Sequence, residues 1–196
     1  MRWRIIGVTS LFAGLAVPAL AHPGHAHEGF LDGLLHPAGG ADHLAAMVAV
    51  GLWAGLVGSA RRWAWPAVFV IAMVAGAGLG WSSLPVPAVE TLVAGSVVAL
   101  GGAIAVGWSP PLAVGAAAVA ALGAVHGFVH GAEMPGEAFL GAYAAGFVTG
   151  TALLHGAGLA LADWIAGAGL RPVASRLAGA ALAVLGAGLV GASLLA

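Results

Sequence analysis

Cysteine and lysine are both missing from this chain of 196 residues, and charge of either sign is scarce. Without cysteine there is no disulfide, thiolate metal site or thiol nucleophile, so a metal must be held by imidazole, carboxylate, thioether or backbone oxygen. Without lysine, and with a formal net charge of -1, no basic surface exists to neutralise a phosphate backbone, which sets nucleic-acid binding aside. A Walker phosphate loop is absent for the same reason, so nothing here hydrolyses ATP. Charged residues make up 7% of the chain, against about 25% in an ordinary soluble domain, while hydrophobic residues reach 61%. That balance excludes a soluble fold and makes lipid the expected surroundings. Glycine is abundant instead, at 33 residues, and in a bilayer small side chains let helix backbones approach closely.

The first 21 residues carry Arg2 and Arg4, an apolar run from Ile5 to about Val17, and the small-residue pattern Ala19-Leu20-Ala21. They read as a signal peptide cleaved before His22, because the apolar run is short of the ~20 residues a spanning helix needs. A polar stretch from His22 to His36 follows, and then six hydrophobic blocks at about 38–58, 64–82, 87–107, 111–131, 137–163 and 174–195. The expected fold is therefore all-α: a single membrane-embedded domain over 22–196, a polytopic bundle of six transmembrane helices. Signal cleavage puts the mature N-terminus in the periplasm, and Arg61, Arg62, Arg171 and Arg176 then all fall on the cytoplasmic side, as the positive-inside rule requires of an inner-membrane protein. Glu28, Asp32, Asp42, Glu90, Glu133 and Glu137 fall outside or at the outer edge, and Asp163 near the inner one. Trp53, Trp63, Trp65, Trp81, Trp108 and Trp164 read as interfacial belt residues, and Gly76, Gly78, Gly80, Gly101, Gly102, Gly146, Gly150, Gly186 and Gly188 as small faces for helix contact.

Of the eight histidines, all but His155 gather at the outer side in this topology. Ionisable groups are costly in a bilayer, so those retained there face a cavity, a partner or an ion. His36-Pro37-Ala38-Gly39-Gly40-Ala41-Asp42-His43 opens the first block; a helical register returns His36 and His43 to nearly one face two turns apart, and the glycines allow a bend around an ion. Asp42 either ligates or orients a neighbouring imidazole. At the end of the fourth block, His126, His130 and Glu133 share one helical stripe. Gly127 stands where a zincin protease has its glutamate, so that hydrolytic mechanism lacks its base. His155, one turn beyond Thr151, reads equally as a helix-contact residue and as a second station further inward. His22, His25 and His27 form an outer cluster that either collects metal or is a weakly binding tail.

These motifs resemble the HupE/UreJ family of nickel or cobalt permeases. The resemblance is carried by His36-Pro37 through Asp42-His43 continued by Leu44 to Ala54, by His126-Gly127 to His130-Gly131-Ala132-Glu133, and by Gly146-Phe147 with Thr151 to His155. It covers nearly the whole chain; Gly39, where the family commonly has serine, is a backbone-permissive difference. The resemblance implies six helices after signal removal and a permease importing Ni(II), with Co(II) the alternative, for hydrogenase or urease maturation. The metal would be cargo rather than a prosthetic group, and the expected partners are that divalent ion and membrane lipid. Imidazole and carboxylate alone leave Zn(II) and Cu(II) open. Two other readings stand beside transport: an intramembrane metalloenzyme with Glu133 as base, though no G-x-S-x-G nucleophile accompanies it, and a metal sensor or accessory subunit that binds without moving its ion.

Overall fold

In lipid a backbone has no hydrogen-bond partner but its own, so a chain this apolar must wind into helices. The structure, a computed structural model, describes residues 29–82, 86, 88–133 and 141–195, apart from the side chain of Glu133. Among the described residues every regular element is helical: α1 (Phe30–Leu35), a 3-10 turn (His36–Ala38), α2 (Ala41–Val57), α3 (Arg61–Gly80), α4 (Val89–Ala105), α5 (Leu112–Glu133), α6 (Ala142–Gly167) and α7 (Arg171–Ser193). The expected signal peptide at 1–21, the cluster His22, His25 and His27, and Glu28 and Glu137 lie outside the described residues.

Helices α3, α5, α6 and α7 are each long and apolar enough to cross a membrane. A fifth crossing results if α1 with its turn and α2 form one broken span, bent by 84°. Helix α4 is apolar but has only 17 residues. The chain is thus an all-helical, multi-pass membrane protein with a helix at each expected block. The first block differs from its expected form: helix begins upstream, at Phe30 within the stretch read as polar, and breaks at Gly39-Gly40. Burial is inverted relative to a soluble core. Ile71 and Val184 are 69% and 73% exposed, whereas Ser96 and His126 are 2% and 0% exposed.

The most extensive contacts pair α3 with α5, α4 with α7, and α2 with α6, and α1 lies on α6. Glycine makes these approaches possible. On α5, Gly123, Gly127 and Gly131 lie against the backbone of Phe69, Met73 and Ala77, one per turn of α3, while Gly76 and Gly80 of α3 meet the carbonyls of Ala124 and Phe128. Gly146 and Gly150 admit α1 in the same way. Gly78, Gly102 and Gly188, expected to serve likewise, meet nothing within 4 Å, because they are turned away from the paired helix. A Cβ at Gly127 would overlap the Met73 carbonyl, so Gly127→Val is expected to force α3 and α5 apart at a cost of about 1–3 kcal/mol, read as a lowered Tm of the detergent-solubilised protein by tryptophan fluorescence.

One end of the bundle holds the motifs at His36–His43 and His126–His130, and the other Arg61, Arg62, Arg171 and Arg176. At the arginine end Arg62 of α3 makes a two-pronged ion pair with Asp163 of α6, at 2.8 and 2.5 Å, and Arg61 donates to the Pro110 carbonyl at 3.1 Å. Trp53 and Trp65 are buried there instead of sitting in an interfacial belt. Their indole N–H groups donate to the carbonyls of Trp108 (2.9 Å) and Leu112 (3.1 Å), and Gly115 leaves the space that the Trp65 ring fills. Trp63, Trp81, Trp108 and Trp164 are exposed near helix ends, as expected.

Candidate metal centre

Four imidazoles come together at the histidine end, from three separate stretches of backbone. Pro37 stands at the start of the 3-10 turn, where a missing N–H costs nothing, and Gly40 caps α2 in an extended conformation (φ -108°, ψ 134°). His36 and His43 therefore do not share one helical register, as their spacing suggested; the break at Gly39-Gly40 separates them and the bend brings them back to one site. Gly40 is required for space: a Cβ there would lie 2.8 Å from Asp42 Oδ1 and 3.1 Å from His43 Nδ1. His126 and His130 do follow each other by one turn of α5, each immediately before a glycine that seats the helix against α3, so the packing of that face sets where both rings point.

The His130 ring is the hub. Its centroid lies 4.4 Å from that of His43, 4.8 Å from His36 and 4.6 Å from Phe147, and His43 is 4.9 Å from His126. His36 Nε2 and His130 Nδ1 are hydrogen-bonded at 3.0 Å across 94 residues of sequence. His43, His126 and His130 are all buried.

Two tautomers follow from the partners. The Asp42 carboxylate has only acceptors, so His43 Nδ1–H donates to Oδ1 at 2.7 Å, next to the His43 backbone N–H at 2.8 Å. The His43 Nε2 lone pair is left bare. Ser96 Oγ donates to the Val93 carbonyl at 2.6 Å, which commits its hydrogen, so at 2.9 Å it accepts from His126 Nε2–H. The bare lone pair of His126 is on Nδ1. These two atoms and His130 Nε2 are buried with no hydrogen-bond partner among the described residues, a costly arrangement for imidazole unless something else is to be bound there. Among the described residues no three His, Asp or Glu side chains already form a ready cation site. The rings stand edge to face, at 84° for His43 and His126 and 75° for His36 and His130, so convergence on one ion requires His36 and His130 to release each other and turn.

His155 is not part of this cluster. It is buried on α6 with both ring nitrogens unpartnered among the described residues, and its ring stands edge-on to that of Phe69 at 5.1 Å, which is also 5.8 Å from His126. Glu133 ends α5, and its side chain lies outside the description. Ser96 and Tyr143 are site residues that the sequence analysis does not name, and Phe147 stands there only among the residues that carry the family resemblance. Ser96 has a usable signal, as a lone hydroxyl within the apolar middle of α4; nothing in the spacing of Tyr143 or Phe147 sets them against His36 (5.9 and 5.7 Å).

Comparison with known proteins matches residues 10–189 to the family model described as HupE / UreJ protein. A curated relative, Protein HupE of Rhizobium leguminosarum bv. viciae, is 41% identical over 185 residues, covering 93% of this chain and 96% of the relative. No solved structure matches.

Proposed function

We propose that this chain, which belongs to the HupE/UreJ family, is a secondary transporter that brings a divalent transition metal, Ni(II) or alternatively Co(II), across the bacterial inner membrane to supply hydrogenase or urease maturation. The observation that carries this reading is the pair of fixed tautomers: Asp42 and Ser96 each occupy one nitrogen of an imidazole and leave the other as a bare, buried donor beside His130. A borderline cation is the chemistry that such donors suit. In this reading His22, His25 and His27 collect the ion. His36, Asp42, His43, His126, His130 and Glu133 hold it at the outer half, and His155 receives it on the way in. The chain crosses six times, with α4 as a short span and the mature N-terminus periplasmic, so the arginine end faces the cytoplasm. No step of this scheme is enzymatic. Affinity order alone would favour copper, so selection depends on geometry and supply.

Uptake of radiolabelled nickel and cobalt into vesicles holding the purified protein, with zinc and copper as competitors, tests the reading. Binding without flux would place the protein among sensors or accessory subunits instead. Ser96→Ala is expected to weaken nickel binding by about tenfold, because His126 loses the acceptor that fixes its tautomer; calorimetric titration of the purified protein measures it.

A further inference from the structure

The glycine contacts between helices recur in a pattern that exchanges the two halves of the chain. Gly51 of α2 faces the O, C and Cα atoms of His155 on α6, and Gly127 of α5 faces the same three atoms of Met73 on α3. One turn on, Gly131 meets the Ala77 carbonyl, and Gly55 meets the Ala162 Cβ and, farther off, the Cδ2 and Cα atoms of Leu159. In the reverse sense Gly158 meets the Val48 carbonyl and Gly76 the Ala124 carbonyl. One shift of register carries positions 48, 51 and 55 to 124, 127 and 131, and a second carries 73, 76 and 77 to 155, 158 and 159. The remaining pair closes on itself: Gly101 of α4 meets Gly179 O and Ala183 N of α7, while Gly179 meets Gly101 O and Ala105 N. The three most extensive helix pairs obey the same exchange, since α2 with α6 becomes α5 with α3 and α4 with α7 is unchanged. Helices α2 and α5 start at opposite ends of the bundle, so the axis relating the halves runs across the helices, the relation found in inverted-topology repeats.

The same exchange identifies what stands at the arginine end in place of the histidine site. His126 and His130 correspond to Val50 and Ala54, and Phe147 to Trp65. Phe147 lies against His130 at the histidine end (4.6 Å between rings), while Trp65 at the arginine end donates to the Leu112 carbonyl (3.1 Å). Metal-binding side chains are absent from these counterpart positions, and indoles close them, Trp53 lying 4.5 Å from Trp65 and stacked 5.5 Å from Trp108. Beside Trp53 and Trp108, at the same end, is a cavity of about 310 Å³ also lined by Leu56, Ser109, Arg171 and Ser175.

We propose that the protein is an inverted repeat of two three-helix halves, and that the cation leaves the histidine site through its counterpart at the arginine end, where Trp53, Trp65 and Trp108 form the inner gate and the adjoining cavity the exit vestibule. This rests on the transport reading above. In such a repeat each half can adopt the other's conformation, so opening one end closes the other. The indole hydrogen bonds to backbone hold the gate shut and keep the inward-open form a minor state until cargo shifts the balance. A gate without ligands also retains no ion, so passage through it ends in release.

The cysteine-free chain makes the test direct. Ala54→Cys in oriented vesicles is treated from the arginine end with a membrane-impermeant thiol reagent, and nickel supplied at the histidine end is expected to raise the labelling rate by about tenfold. A second measurement needs no buried substitution: spin-label pairs at the exposed positions Ala60 with Ser109 and Leu35 with Ala132 should report opposite distance changes on adding nickel, the first widening as the second narrows. Distances that stay fixed or move together overturn the repeat as a working device. Nickel flux is measured on the same preparations. Flux through an Ala54→Cys protein that never reacts from the arginine end overturns the gate and leaves transport standing, whereas absence of flux in the unsubstituted protein overturns the transport reading and the exit with it.

Discussion

Replacing His130 with alanine is expected to lower the initial rate of nickel uptake by about a hundredfold, and His43→Ala by a similar factor. His130 touches His36 and His43 at once, so its loss removes a donor and also the hydrogen bond that brings the α1 turn onto α5. His43 offers a donor whose tautomer is already set. Both variants should fold, because helix pairing in this region is made by glycine contacts that neither substitution alters. Nickel uptake in vesicles, normalised to protein whose thermal unfolding matches the unsubstituted chain, is the measurement. Uptake unchanged in both variants would sink the assignment of this site as the metal centre.

Asp42 carries the second large effect, and two substitutions separate its roles. Asn keeps an oxygen to accept the His43 backbone N–H and Nδ1–H but gives up the charge; Ala gives up both. Because Oδ1 takes both hydrogens from His43, positioning is the main task, and Asp42→Ala should weaken nickel binding by tens of fold while Asp42→Asn weakens it by about tenfold or less. Equal losses in the two variants would mean that the carboxylate charge itself holds the ion. Calorimetric titration of both proteins beside the unsubstituted chain decides between these outcomes.

The two histidine motifs were legible in the sequence because imidazole and carboxylate stand out against an apolar background, and the helices because lipid leaves the backbone no alternative. Register was legible only where the helix is unbroken. His126 and His130 keep their one-turn relation, whereas His36 and His43 were assigned a common face that the Gly39-Gly40 break removes. Which glycines serve as contacts was not legible either. Gly76 and Gly78 look alike in sequence, yet one meets the Ala124 carbonyl and the other meets nothing, since rotation about the helix axis is set by the partner helix. Trp53 and Trp65 were misread for a related reason: proximity to a block end says nothing about whether the adjoining loop folds back over the ring, as Trp108 and Leu112 do. An inverted repeat is conceivable from the sequence, since the first and fourth blocks both carry motifs and run in opposite directions, but self-similarity is too weak to assert it. In the proposed repeat Gly51 answers to Gly127, but His155 answers to Met73 and Ala54 to His130, so side-chain similarity between the halves is almost erased.

The hydrogen bond between His36 and His130 spans 94 residues, and that distance has a consequence for synthesis at the membrane. The first two imidazoles of the cluster emerge from the ribosome long before the last two, so a nascent chain holding only α1 to α4 carries two of its four rings. In the proposed metal-site reading, the four imidazoles are first brought together when α5 inserts beside α3. A partly inserted chain then holds no complete site in which metal could trap it.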